Sequence, residues 1–253
     1  MIRALCKYYF SGKRISTIDN PLINALNVNV FSKINSIYDN EIQTLVSNLN
    51  KDKSTLEISD LGAGSKKSNS NKRSVKSIVK NASINPKFGK LLSLIVSYYN
   101  CNTIIELGTS LGIGTSYLAL NNDHANIYTI EGCENIHKRA QNNLKSLTNI
   151  KLYIGEFSKV LPSVLNRSGK PDFVYIDGNH TYKSTIDYFN NFLTNANTKA
   201  ILVFDDIHWS NGMESAWQHI IASSSSRITI DLFRMGIVFL DPDLKKEHFV
   251  IKF

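Results

Sequence analysis

At 253 residues the chain can build one full α/β domain with a sizeable core and an appendage of about a hundred residues. Its 42% hydrophobic and 20% charged content is ordinary for a soluble globular protein, and the longest apolar run, residues 91–99, is interrupted by two serines and is too short to cross a bilayer. The net charge of +8 is uneven: residues 1–100 hold 15 Lys+Arg against 6 Asp+Glu, whereas residues 101–253 hold 14 against 15. The lysines are dispersed among Ser and Asn, which favours a solvated surface over a patch for nucleic acid, an anionic membrane or an acidic substrate.

The first ten residues contain a basic residue but no long apolar segment and no small-residue cleavage site, so no signal peptide is read and a cytoplasmic location is expected. Cys6, Cys101 and Cys133 show no C-x-x-C spacing, which points to incidental thiols rather than zinc ligands or disulfides. Residues 21–49 read as one or two helices, 50–55 as a polar break, and 74–99 as helices interrupted near Pro86. Asp60-Leu-Gly-Ala-Gly-Ser65 looks like the start of a cofactor loop, but the Lys/Ser/Asn run after it cannot pack as a crossover helix. A tight turn, or a loop over an active site, is expected there, with a further loop over residues 66–73.

From Asn102 onward, β-rich runs at 102–107, 126–131, 150–154, 172–177 and 199–205 alternate with amphipathic segments at 114–121, 134–147, 157–165, 181–194 and 211–223. Such alternation predicts parallel strands joined by helical crossovers. Three last runs, 228–233, 236–240 and 248–252, lie too close together for helices, so the sheet is expected to finish antiparallel. The expected architecture is α/β: a doubly wound, Rossmann-like, seven-stranded, mainly parallel sheet with an antiparallel final strand, preceded by a mainly helical extension. The division is placed at 1–97 and 98–253.

The richest stretch is Ile104-Ile-Glu-Leu-Gly-Thr-Ser-Leu-Gly-Ile-Gly-Thr-Ser-Tyr-Leu-Ala119, a strand, a glycine turn and a helix start. Gly108, Gly112 and Gly114 permit close backbone approach to a ligand, and Glu106 puts a carboxylate at the strand's end. The next strand ends in Glu131, 17 residues after Gly114, where a carboxylate can accept hydrogen bonds from both hydroxyls of a ribose. The order E-x-G-x-x-x-G-x-G differs from the G-x-G-x-x-G of pyrophosphate binders and favours a cationic nucleoside without phosphates. Two later strand ends carry Asp177 and the pair Asp205-Asp206, and three such carboxylates suggest a metal beside the cofactor.

On these residues the sequence resembles the class I S-adenosylmethionine-dependent methyltransferases, especially the catechol-type O-methyltransferases, over roughly residues 87–253. The resemblance implies that Glu106, Gly108, Thr109, Ser110, Gly112 and Gly114 form the cofactor loop and that Glu131 holds the ribose. It implies that Glu156 or Phe157 lines the adenine, and that Asp177 borders the cofactor and joins Asp205 and Asp206 in holding Mg²⁺ or another divalent cation. An Asp at the third metal position is more similar to the macrolide-sugar O-methyltransferases. His180 lies where the catechol enzymes place a catalytic lysine, so it is expected to take the proton of an acceptor hydroxyl, with Asp177 beside it. His208, Trp209 and Trp217 are read as a pocket wall or as core, and Asn179 and Tyr182 as pocket candidates on position alone. The implied reaction is metal-assisted methylation of a small-molecule or sugar hydroxyl, with a homodimer compatible with the chain. A nucleic-acid methyltransferase using the basic N-terminal part, an inactive cofactor-binding scaffold and, more distantly, an NAD-dependent oxidoreductase are the alternatives.

Overall fold

The computed structural model describes residues 2–58 and 72–253. The expected turn at 60–65 and residues 66–71 of the expected loop lie outside them. Chain contacts group the protein into two compact units, residues 1–28 with 170–253, and residues 29–169. The first 97 residues are divided between both units.

The first unit begins with α1 (Ile2–Ser11), an element the sequence reading did not assign, and α2 (Pro21–Asn29), which belongs to it up to Val28. Helix α1 is tied to the end of the chain. The Tyr8 hydroxyl donates to the Ile251 carbonyl at 2.7 Å and accepts from the Phe253 N–H at 2.9 Å, and Lys13 bridges Ile251 in parallel. Asn20 donates to Glu247 at 2.9 Å and caps the start of α2 through Leu22 and Ile23.

The second unit opens with α3 (Asn40–Lys51) and a two-stranded antiparallel ribbon, β1 (Thr55–Glu57) with β2 (Lys72–Ser74). Part of the expected polar break and the last residues of the expected loop are therefore strand. Helices α4 (Val75–Ala82) and α5 (Pro86–Tyr98) follow, each started by a side-chain cap, Ser74 and Asn85, with Pro86 at the first helical position where its missing N–H costs nothing. The alternation read from the sequence then appears as β3 (Thr103–Leu107), α6 (Ile113–Ala119), β4 (Asn126–Glu131), α7 (Glu134–Asn143), β5 (Ile150–Ile154) and α8 (Phe157–Ser168). Strand β4 pairs in parallel with both β3 and β5. Ile104, Ile105, Leu107, Ile127 and Ile130 are fully buried, each worth about 1.5–3 kcal/mol of transfer free energy.

The residues before the sheet are bound into this unit by polar contacts as well. Asp39, almost fully buried, accepts from the Tyr117 hydroxyl at 2.7 Å and Gln43 at 2.7 Å and pairs with Lys90 at 3.0 Å. Asp52 pairs with Arg139, and the Glu57 carbonyl accepts from Asn135 at 2.9 Å.

The chain then completes the first unit with β6 (Phe173–Ile176), α9 (Tyr182–Asn195), β7 (Ile201–Asp205), α10 (Asn211–Ala222), β8 (Ile228–Asp231), β9 (Met235–Phe239) and β10 (Glu247–Val250). Strands β6 and β7 are parallel, β9 runs antiparallel between β7 and β8, and β10 lies parallel to β8. Among the described residues three parallel strands of one unit and five strands of the other answer the eight β-rich runs, against the seven-stranded sheet expected, and the antiparallel strand is the penultimate one. The spacing argument holds for chain neighbours: β9 and β10 run in opposite directions and need no crossover. They flank β8 on opposite sides, so the ladder that β10 makes is parallel. Arg227 pins the connection, its backbone N–H donating to Phe239 and its side chain to Leu244 at 2.8 Å. Among the described residues, no helix is long and apolar enough to cross a membrane.

Candidate functional site

In the unit of residues 29–169, the loop after β3 turns on positive φ angles at Gly108 (110°), Ser110 (48°) and Gly112 (86°). At Gly112 a Cβ would also meet the Leu144 side chain at 2.8 Å, so glycine is required by both conformation and space. The loop is held to the end of β4. Gly108 and Thr109 donate to the Ile130 carbonyl, and the Ser110 N–H donates to Glu131 Oε2 at 2.9 Å. Glu131 Oε1 accepts from the Cys133 N–H at 2.9 Å. Each oxygen of this carboxylate thus accepts from a backbone N–H. Burial raises the Glu131 pKa, with the N–H groups of Cys133, Ser110 and Gly132 pulling it back.

Glu106 lies deeper. It is fully buried, and its Oε2 accepts from the Thr115 hydroxyl at 2.5 Å and the Thr129 hydroxyl at 2.6 Å, with Thr109 hydrogen-bonded to Thr129 at 2.5 Å. Its Oε1 is buried and has no hydrogen-bond partner among the described residues. Burial pushes the Glu106 pKa from 4.5 to about 7, the two threonine hydroxyls oppose this, and the Glu131 charge adds to it. The structure thus brings Glu106, Thr109, Ser110 and Glu131 together around one glycine turn, with Gly114 inside α6. Glu156, the residue before α8, turns outward to Ser158 at 2.7 Å and Lys159 at 2.8 Å, and Phe157 is the first residue of that helix.

The other unit carries the second cluster. Asp177 follows β6, accepts from the Tyr175 hydroxyl at 3.2 Å and lies 3.6 Å from His180 Nε2. Asp205 ends β7 almost fully buried, and Asp206 follows it at φ 52°. Burial first, then the charges of Asp177 and Asp206, push the Asp205 pKa from 3.8 to about 8, while Arg234 and His180 pull it back. Asp177, His180, Asp205 and Asp206 thus share one electrostatic environment. Among the described residues no group of three or more His, Cys, Asp or Glu is arranged to hold a metal ion.

The sequence reading missed Arg234. Its guanidinium lies 3.4 Å from Asp205 Oδ2 through one terminal nitrogen and 3.7 Å from Asp206 Oδ1 through Nε. It sits at the tip of the β8–β9 hairpin, where the Ile207 N–H donates to the Arg234 carbonyl at 3.2 Å and Phe233 takes a φ of 68°. Buried Asp231 fixes the tip, accepting from the Phe233 N–H at 2.7 Å and Trp217 Nε1 at 3.2 Å and lying 2.9 Å from His208 Nε2. Trp217 is core, packed so closely on Gly236 that a Cβ there would meet its ring at 2.6 Å, whereas Trp209 is exposed. Asn179 donates to Ser184 at 2.8 Å, and the Tyr182 hydroxyl lies 3.4 Å from His219.

Residues 105–207 match a family model described as a methyltransferase domain. A search of curated proteins finds no match. The fold is similar to that of cofactor-bound Rv0187 from MTB, with a TM-score of 0.61 and 15% identity over 81% of this chain and 91% of that one. It is also similar to an O-methyltransferase from Bacillus cereus in complex with SAH, at 0.59 and 16% over 80% and 92%. The O-methyltransferase TomG from Streptomyces achromogenes, in complex with SAM, matches at 0.53 and 19% over 63% and 82%. The chain has a Rossmann-like, mostly parallel α/β fold like that of these methyltransferases, and its residues 105–207 are similar to a methyltransferase domain.

Proposed function

We propose that the protein transfers the methyl group of S-adenosylmethionine to a hydroxyl oxygen of a small molecule. The observation that carries this reading is Glu131, a half-buried strand-end carboxylate that braces the glycine turn through the Ser110 N–H on one oxygen and the Cys133 N–H on the other, and that stands beside the turn where two ribose hydroxyls can donate to it. Glu106 and its threonines shape the floor of that turn, and the glycines give the room a nucleoside needs. Bound S-adenosylmethionine supplies a methyl group on a sulfonium. In the unit of residues 1–28 and 170–253, His180 would take the proton of the acceptor hydroxyl, and Asp177, 3.6 Å away, would stabilise the imidazolium formed. Proton transfer of this kind contributes typically ~10²–10⁴-fold.

Asp177, Asp205 and Asp206 supply hard oxygen donors, yet they do not converge as a metal-holding set, and a guanidinium already lies against two of them. A divalent cation does not fit this arrangement, and no step is assigned to one. The reading places the reaction in the cytoplasm, on a small hydroxylated acceptor rather than nucleic acid.

Calorimetric titration with S-adenosylmethionine tests it. Saturable binding is expected, weakened about 10–100-fold by Glu131→Ala, the size of a lost hydrogen-bonded charge. Absence of binding to the wild-type protein overturns the reading.

A further inference from the structure

Asp205 and Asp206 against Arg234, with Asp177 acting on Asp205, pose a charge problem that the methyltransferase reading does not solve. Asp205 is buried with no hydrogen-bond partner for its Oδ1 among the described residues, Asp206 is strained into positive φ beside it, and Asp177 lies near enough to act on Asp205 electrostatically. Such a cluster calls for a cation. The side chain that meets it comes from a tightly built turn. The Leu232 N–H donates to Met235 at 2.9 Å, the Arg234 N–H to Leu232 at 2.9 Å, and Asp231 clamps Phe233 from below while lying 2.9 Å from His208 and accepting from Trp217. The β9 backbone continues this registration with Asp205 opposite Met235, so the residue before Met235 is delivered to the end of β7 by the ladder itself.

Resting on the methyltransferase reading, we propose that Arg234 is the resident cation of this site, a built-in substitute for a divalent metal that makes the protein metal-independent. Its guanidinium neutralises Asp205 and Asp206 and keeps them oriented, and its side chain, about a third exposed, leaves N–H groups for an acceptor oxygen. Arg234 is a positioning residue for Asp205 and Asp206. A guanidinium is always charged and cannot be removed by chelators, so the site keeps its positive charge whatever the metal supply.

Mn²⁺ titration of the full-length protein, followed by electron paramagnetic resonance, tests the proposal. Wild-type protein is expected to take up no Mn²⁺ at millimolar concentration. Arg234→Ala and the milder Arg234→Gln, by freeing the carboxylates, are expected to gain a saturable site with affinity raised about tenfold or more, abolished when Asp205→Asn is added. Arg234→Lys, which keeps a cation, is expected to behave as wild type. A saturable Mn²⁺ site in the wild-type protein that Asp205→Asn removes overturns the proposal, whether or not the Arg234 variants fold. Folded Arg234 variants that gain no site overturn it equally. Failure of S-adenosylmethionine to bind leaves these outcomes unchanged and strikes only the methyltransferase reading.

Discussion

Replacing Glu106 by Gln should remove a specific part of the protein's pH dependence. The wild-type carboxyl is fully buried and its pKa rises from 4.5 to about 7 on folding, so between those values the folded state holds a proton that the unfolded chain has lost. Stability from this group is therefore complete below pH 4.5 and is lost as pH rises towards 7. A displacement of this size amounts to about 3 kcal/mol. Gln resembles the protonated acid in shape, and its carbonyl oxygen can still accept from Thr115 and Thr129. The gap between variant and wild type should be small near pH 5 and should widen to about 3 kcal/mol by pH 8, or about 6–12 °C in Tm for a chain of this size. Glu131 and Asp205 titrate with the same sign, which is why the difference between the two proteins, rather than either curve alone, isolates Glu106. Thermal melts across pH 5–8 measure it. Parallel curves for the two proteins would refute the argument that a buried, half-partnered carboxyl sits at this position.

Two further substitutions probe the frame around the glycine turn. Gly112→Ala meets both a φ of 86° and the Leu144 side chain at 2.8 Å, and should cost about 1–3 kcal/mol in urea unfolding. Tyr117→Phe removes the hydroxyl that donates to buried Asp39 at 2.7 Å but leaves Lys90 and Gln43 in place, so a loss of about 1–2 kcal/mol is expected by the same assay. A neutral result would mean that water replaces the hydroxyl.

What the sequence disclosed and what it hid follow from the range of the interactions involved. The strands and helices from Thr103 onward, and the partnership of the Glu106 turn with Glu131, are written in local period and in the spacing of two neighbouring strands. Helix α1 was hidden because its docking depends on Tyr8 meeting Ile251 and Phe253, residues with no local signature in common. The β1–β2 ribbon was hidden for a similar reason: Lys72-Arg-Ser74 becomes a strand only because Thr55-Leu-Glu57 is there to pair with it. Arg234 belongs to no glycine or carboxylate pattern. It reaches Asp205 because a hairpin is inserted antiparallel beside β7, and which strand pairs with which is a non-local choice that the runs themselves do not encode.

The tie between Tyr8 and Ile251, across an intervening unit, sets an order of events during folding. Residues 29–169 find every partner of their own unit within one uninterrupted stretch, so that unit can form on the ribosome before the remainder is made. The other unit must bring Tyr8 to Ile251, a separation of 243 residues, and β10 supplies its edge strand only after residues 29–169 have been made. Helix α1 therefore waits for the far part of its own unit, and the hairpin that carries Arg234 reaches its final packing in the same step.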